Sequence, residues 1–304
     1  MIAPDDAEAL SGLAWWAGPG RDFMAGLGEA GRRPNFPEAA RALCANMLSL
    51  AMSHTGLGAV FKDAGRYVAA MWAFHLDETE GLTLARLKEV CGRSALLSPG
   101  RARALLQFLQ HLGYAERRAD PPRAAAWRLT DAFRRDWALH LRAALEAGRI
   151  LEPQMGLMLD AKDDAALWTY GRLHAEGLYQ AVTDEPMPPP LAAFMHAHAG
   201  NQILWTLLAT GEDGAFPPAL AGPVSVSALA RRFNVSRVHV HRIFQRTARE
   251  NVASLDHDGH VRFHEAAREV LRWIYAAQLA QILTAAGRAA QVHGLAPAVK
   301  NVQL

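Results

Sequence analysis

Apolar residues recur at helical spacing twice within a short stretch in the second half of the chain. Val226, Leu229, Ala230 and Phe233, at i, i+3, i+4 and i+7, make one buried stripe, and Val240, Ile243 and Phe244 make another just downstream. Two helices this close need a tight turn. Asn234 tolerates the left-handed backbone that ends a helix, and Ser236 stands where its side chain caps the next one. Arg237, Val238, His241, Arg242 and Gln245 then point away from the shared apolar face. Beyond them Val252–Leu255 and His260–Phe263 read as short strands around Asp256-His257-Asp258-Gly259, an Asp-Gly hairpin signal.

The same order of signals lies upstream. Leu84, Leu87, Val90 and Cys91 give a helical stripe closed by Gly92, Ser98-Pro99 opens a second helix, and Gly113 ends it. Tyr114–Arg118, a turn-rich 119–123 segment and Ala126–Thr130 repeat strand, turn, strand. Aligning Tyr114 with Val252 lays Arg101 on His239, Ala102 on Val240, Arg103 on His241 and Ala104 on Arg242. Apolar helices flank each unit, at 37–76 and 131–147 for the first and at 191–208 and 265–286 for the second. The chain therefore reads as an N-terminal arm (1–36, Gly-rich, with Trp15-Trp16 and little regular structure), a first unit (37–149), a helical bridge (150–187) and a second unit (188–304). The bridge ends in a proline-rich run, Asp184–Pro190, which cannot be helical and marks the start of the second copy.

Charge changes the picture because it is local. The net charge is only +2, yet Ala228–Arg249 holds Arg231, Arg232, Arg237, Arg242, Arg246 and Arg249 with no Asp or Glu. Unbalanced positive charge on an exposed helix is what a phosphate backbone attracts. The plainer reading is an ordinary amphipathic helix pair with a solvated basic face.

Leu229-Ala230 through Val235-Ser236-Arg237, followed by the hairpin, resembles the winged helix-turn-helix transcription regulators, whose common run is LA-x-x-x-G-V-S-R; Asn234 replaces the usual Gly. The upstream unit resembles the wing of the multiple-antibiotic-resistance-regulator (MarR) family through Leu109, Gly113, Tyr114, Arg117, Asp120-Pro121, Arg123 and Leu129-Thr130. Pro122, Ala124 and Ala104 depart from that pattern and remove phosphate and groove contacts. The resemblance implies a mainly α fold in which two winged helix-turn-helix units, at 82–130 and 224–264, sit in a helical scaffold like a MarR dimer. It implies a single-chain pseudo-dimer, or a homodimer of such chains, that regulates transcription by binding double-stranded DNA. Its half-sites would be about one helical turn, ~34 Å, apart. Arg237, His239, His241, Arg242, Gln245, Arg246, His260 and Arg262 would contact DNA in the second unit, and Arg101, Arg103, Gln107, Arg118 and Arg123 in the first. A small apolar or aromatic effector would bind between the helical scaffold and the winged helices. The alternative is a protein-interaction or scaffold module in which one or both units do not touch DNA.

Other chemistries find little support. Cys44 and Cys91 both sit in apolar helical stripes, which points to buried thiols and a cytoplasmic protein instead of a disulfide framework. Among 13 His, His196 and His198 project about 200° apart on a helix, and so do His239 and His241, so neither pair shares an ion easily. His257, His260 and His264 have no completing Cys or carboxylate. No phosphate loop, nucleophile elbow or HExxH occurs, so neither enzyme activity, cofactor nor metal is expected. No apolar run reaches the ~18 residues of a membrane span, and the start has no signal-peptide charge pattern. Trp15, Trp16, Trp72, Trp137, Trp168, Trp205 and Trp273, mostly on predicted helices outside the wings, are read first as core.

Overall fold

The computed structural model describes residues 30–93, 97–118, 126–161, 164–180, 189–211 and 214–295. The protein is mainly helical with two small antiparallel three-stranded sheets, and one succession of elements occurs twice. The first run is α1 (Phe36–Ser53), α2 (Thr55–Val60), α3 (Ala64–Glu78), β1 (Leu82–Thr83), α4 (Leu84–Gly92), α5 (Pro99–His111), β2 (Ala115–Arg117), β3 (Ala126–Leu129) and α6 (Asp131–Leu151). A 3₁₀ turn (Pro153–Met155) and the short helix α7 (Gly156–Leu159) lead to the second run. It comprises α8 (Ala165–Gln180), α9 (Pro189–Met195), α10 (Gly200–Ala209), β4 (Leu220–Ala221), α11 (Val226–Arg232), α12 (Arg237–Arg249), β5 (Ala253–Leu255), β6 (Val261–Phe263) and α13 (Glu265–Val292).

The long helices interlock the runs. Helix α1 buries Phe36, Ala39, Ala40, Leu43, Cys44, Met47 and Leu48, an unbroken i, i+3, i+4 series, against α6 of its own run and α10 of the other. Helix α8 packs correspondingly on α13 of its own run and on α3 of the first, while α6 and α13 also meet. The packing thus repeats when the runs are exchanged, as a pseudo-twofold axis requires. Helix α10 is buried almost all round, so its polar groups need internal partners. Asn201 donates to the carbonyl of Phe61 at 3.3 Å and Gln202 to that of Gly58 at 3.0 Å, both across the axis.

By this packing α8 is the counterpart of α1, so the second run reaches back to residue 165, ahead of the proline-rich segment expected to open it. Pro189 and Pro190 of that segment, expected to be non-helical, form the first turn of α9, where no backbone N–H is needed. Residues 30–35 are likewise packed, unlike the loose arm expected there. Arg33 donates to the Leu151 carbonyl at 2.7 Å and Asn35 to that of Ile150. The arm residues 1–29, with Trp15 and Trp16, lie outside the described residues.

The two sheets share one topology, β1-β3-β2 and β4-β6-β5. Ala115 pairs with Leu129 in one and Ala253 with Phe263 in the other. The expected equivalence of Tyr114 and Val252 is repeated in backbone geometry. Each N–H donates at 2.8 Å to a carbonyl of the preceding helix, Leu109 and Thr247, and each carbonyl accepts at 3.0 Å, from Thr130 and His264. The residue before each is left-handed, Gly113 with φ +72° and Asn251 with φ +53°. Strands β1 and β4 were not foreseen, being only two residues long.

The core is continuous through both runs and holds Trp72, Trp137, Tyr170 and Tyr275 fully buried. Cys44 and Cys91 are buried free thiols, and burial pushes Cys44 up to about 12, which leaves no thiolate near neutral pH. No helix among the described residues is long and apolar enough to cross a membrane.

Candidate functional site

Helices α11 and α12 form as their sequence dictates. Ser225 accepts from the Ala228 N–H at 3.2 Å, and Ser236 from that of His239 at 3.1 Å, so both N-termini are capped. Between the helices Asn234 is left-handed, φ +52°, which turns the chain without a glycine. Leu229, Ala230, Val240, Ile243, Phe244 and Thr247 are buried between the helices and the sheet. The opposite face of α12 is open: Arg237, Val238, His241, Arg242, Gln245 and Arg249 are exposed, Val238 to 58%. Among the described residues, Arg237, Arg242 and Arg249 form no ion pair with another side chain, so their charge is uncompensated. Arg231 and Arg232 are exposed alongside.

Two residues of the predicted set are engaged within the chain. Arg246 pairs with Glu250 at 2.9 Å and is partly buried. The Nε2 of His239 donates to the carbonyl of His198 at 2.7 Å, which ties α12 to the turn between α9 and α10. The hairpin is built by Asp256, whose Oδ1 accepts from the Asp258 and His260 N–H groups at 3.0 and 2.9 Å. Those N–H groups hold its carboxyl below the usual range. Gly259 has φ +87° and bonds Val224 so closely that a Cβ would lie 2.9 Å from the Val224 carbonyl oxygen. Arg262 is exposed on β6 and His260 half-exposed beside it.

The first unit presents a thinner version of this face. Arg101, Arg103, Ala104 and Gln107 are exposed on α5, which carries no acidic residue. Unlike Ser236, Ser98 makes no side-chain cap. Arg128 is paired with Glu116 at 2.6 Å, and Arg117 lies over the Trp127 ring, 5.2 Å from its centroid. Arg118 is exposed at the end of β2; Pro122, Arg123 and Ala124 fall outside the described residues.

Both basic helices border the α9–α10 turn. His196 there is held below its ordinary pKa by burial and then by Arg246 of α12 and Arg101 of α5. His198 is lowered by burial and then by Lys62 and Arg66, with Asp63 opposing. Burial first, and neighbouring positive charge second, thus favour the neutral form of both imidazoles. Lys62 and Arg66 escaped sequence reasoning because they lie just before and within a largely apolar helix, outside both winged-helix segments. Among the described residues no cluster of His, Cys, Asp or Glu could hold a metal ion.

In the interior, α1, α3, α6, α8, α9, α10 and α13 enclose a cavity of about 770 Å³, open mouth included. It is lined by His140, His174, Asn201 and Trp205 among mostly apolar side chains, a set that no sequence motif announces. Comparison of the chain with protein families, with curated proteins and with solved structures finds no match.

Proposed function

We propose that the protein is a sequence-specific regulator of transcription that binds duplex DNA, with α11 and α12 and their sheet acting as a winged helix-turn-helix and α12 as the recognition helix. The observation that carries this reading is the exposed face of α12, whose arginines have no acidic partner although nearby carboxylates such as Glu250 are paired. Arg237, His241, Arg242 and Gln245 have the donors that read base edges and phosphates. Val238, an exposed apolar group among them, suits a thymine methyl. His260 and Arg262 extend the basic surface along the hairpin. The resemblance to the MarR family remains a reading of motifs, supported by the repeated element order and the interlocked helices.

In this reading His239 acts through its bond to the α9–α10 turn as much as through DNA, and Arg246 reaches a phosphate only by leaving Glu250. The first unit contributes Arg101, Arg103, Gln107 and Arg118. A second reading applies to it alone: Ala104 in place of an arginine and the internal engagement of Arg117 and Arg128 favour a bracing or protein-docking role. Selecting bound sequences from a random duplex pool, then footprinting the winner, tests both readings. An enriched consensus protected in two separated patches is expected if both units read DNA, and a single short patch if only the second does. A pool with no enrichment refutes the proposal.

A further inference from the structure

We propose that the surface between the two basic helices, where the turns before α3 and α10 meet, is a third contact with the duplex that seats phosphates between the half-sites, and that binding there takes up protons on His196 and His198. The inference rests on the DNA reading of α12 and adds to it residues outside both winged-helix segments.

The pseudo-twofold relation brings the two turns together. Helices α3 and α10 hold the same place in their runs, and Lys62 and His198 each stand two positions ahead of the first residue of their helix. The turns are pinned across the axis, since Asn201 donates to the Phe61 carbonyl and Gln202 to that of Gly58. Each basic helix then rests one residue on the turn of its own run. His239 of α12 donates to the His198 carbonyl at 2.7 Å. Arg101 of α5, its equivalent in the repeat, reaches the first turn of α3, where a Cβ on Gly65 would lie 3.6 Å from its Nη1. Arg101, Lys62, His198 and His239 thus form one strip from α5 to α12, with His196 exposed beside it.

Charge on this strip is unbalanced. Among the described residues Lys62 and Arg101 form no ion pair. The two carboxylates that His196 and His198 feel are already engaged, Asp63 with Arg66 at 3.2 Å and Glu250 with Arg246 at 2.9 Å. Burial and then Arg66 hold the Lys62 ammonium below its usual range, so the cations repel one another and a phosphate relieves that repulsion. A duplex is the polyanion that fits, because the strip is continuous with the exposed Arg237, His241 and Arg242 at one end and with Arg103 and Gln107 at the other.

The protons follow from the same neighbours. His196 faces Arg246 and Glu250 of α12 and Arg101 of α5; His198 faces Lys62, Asp63 and Arg66 at the start of α3 and His239 of α12. Burial and the cations favour neutral rings in the free protein. A phosphate beside them adds negative charge and favours the imidazolium. Both rings therefore hold protons more tightly in the complex than in the free protein, and affinity rises as pH falls through the range between those two states.

Anisotropy with the selected duplex, and calorimetry of the same binding in buffers of different ionisation heat, test both parts on the full chain between pH 6.5 and 8.0. Lys62→Glu, a change at a half-buried side chain with no ion pair to lose, is expected to bind at least tenfold more weakly. Lys62→Gln should make the slope of log affinity against log salt shallower by about 1, with the enriched consensus unchanged because phosphate contacts carry no sequence information. Wild type is expected to take up as many as about two protons per bound duplex at these rings, and the His196→Gln, His198→Gln double variant should lose that uptake while keeping whatever His239, His241 and His260 add. Should the double variant fail to fold, the Lys62 variants still decide. Duplex binding that Lys62→Glu leaves unchanged, or proton uptake equal in wild type and the histidine variant, would overturn this inference and leave the α12 reading standing. No duplex binding by wild type would overturn both.

Discussion

Acidification from pH 7.5 to 5.0 should remove about 4 kcal/mol of stability through two buried histidines alone. His140 and His174 are both buried, and burial lowers them from 6.5 to about 3 and about 4. In the unfolded chain both imidazoles take up protons as the pH passes 6.5. In the folded protein neither does so until the pH nears 4, because a charged ring there would lose its hydration. His140 meets Tyr67 and the Met47 sulfur at hydrogen-bond distance with the Phe61 and Trp137 rings packed on it, and His174 meets Tyr170, none of which supplies a negative charge. Over the window from 6.5 down to about 4 the unfolded state binds more protons, so stability falls as pH falls. At pH 5.0 each ring lies about 1.5 pH units below its unfolded pKa, which at about 1.36 kcal/mol per unit is about 2 kcal/mol each. Urea titrations of wild type and a His140→Gln, His174→Gln double variant at the two pH values isolate the effect. Asp77, which burial raises in the opposite sense, and the other titrating groups are common to both proteins and cancel in the comparison. The wild type is expected to lose about 4 kcal/mol more than the variant; equal losses would refute the assignment of these rings as buried and neutral.

Asn234 sits at φ +52°, so Asn234→Val should cost about 1–2 kcal/mol and Asn234→Gly almost nothing, read from chemical melts. Ser236→Ala should cost about 1 kcal/mol because it uncaps α12. Ser98→Ala should be close to neutral because Ser98 makes no such bond, and equal effects in the same melts would contradict the difference between the two helix starts. Ala104→Arg should tighten DNA binding by several-fold if α5 faces the duplex; unchanged affinity in a gel-shift series would assign the first unit to bracing.

What could be read from the sequence was local. The stripes of α11 and α12, the turn at Asn234, the cap at Ser236 and the hairpin at Asp256–Gly259 are all set by residues within a few positions of one another, and each has the geometry expected. The repeat was also legible, because Tyr114 and Val252 follow helices of equal length. Long-range packing was not. Whether α8 bridges the runs or stands in for α1 depends on which helices it touches, and its apolar pattern suits either. The strands β1 and β4 are too short to carry a period, and only pairing with β3 and β6 defines them. At the candidate site, the exposure of Arg237, His241, Arg242 and Gln245 followed from helical spacing. The turn of His239 toward His198 and the convergence of His140, His174 and Asn201 on one cavity did not, since these residues come from separate helices.

Affinity for a selected duplex, followed by fluorescence anisotropy from 50 to 200 mM salt, bears most directly on the claim that α12 reads DNA. Wild type is expected to weaken steeply with salt, since each phosphate contact contributes a slope of about −0.9 in log affinity. The Arg237→Ala, Arg242→Ala double variant should bind at least tenfold more weakly and show a slope shallower by up to about 2. Undetectable binding at every salt concentration, or a variant whose affinity and slope match the wild type, would contradict the account.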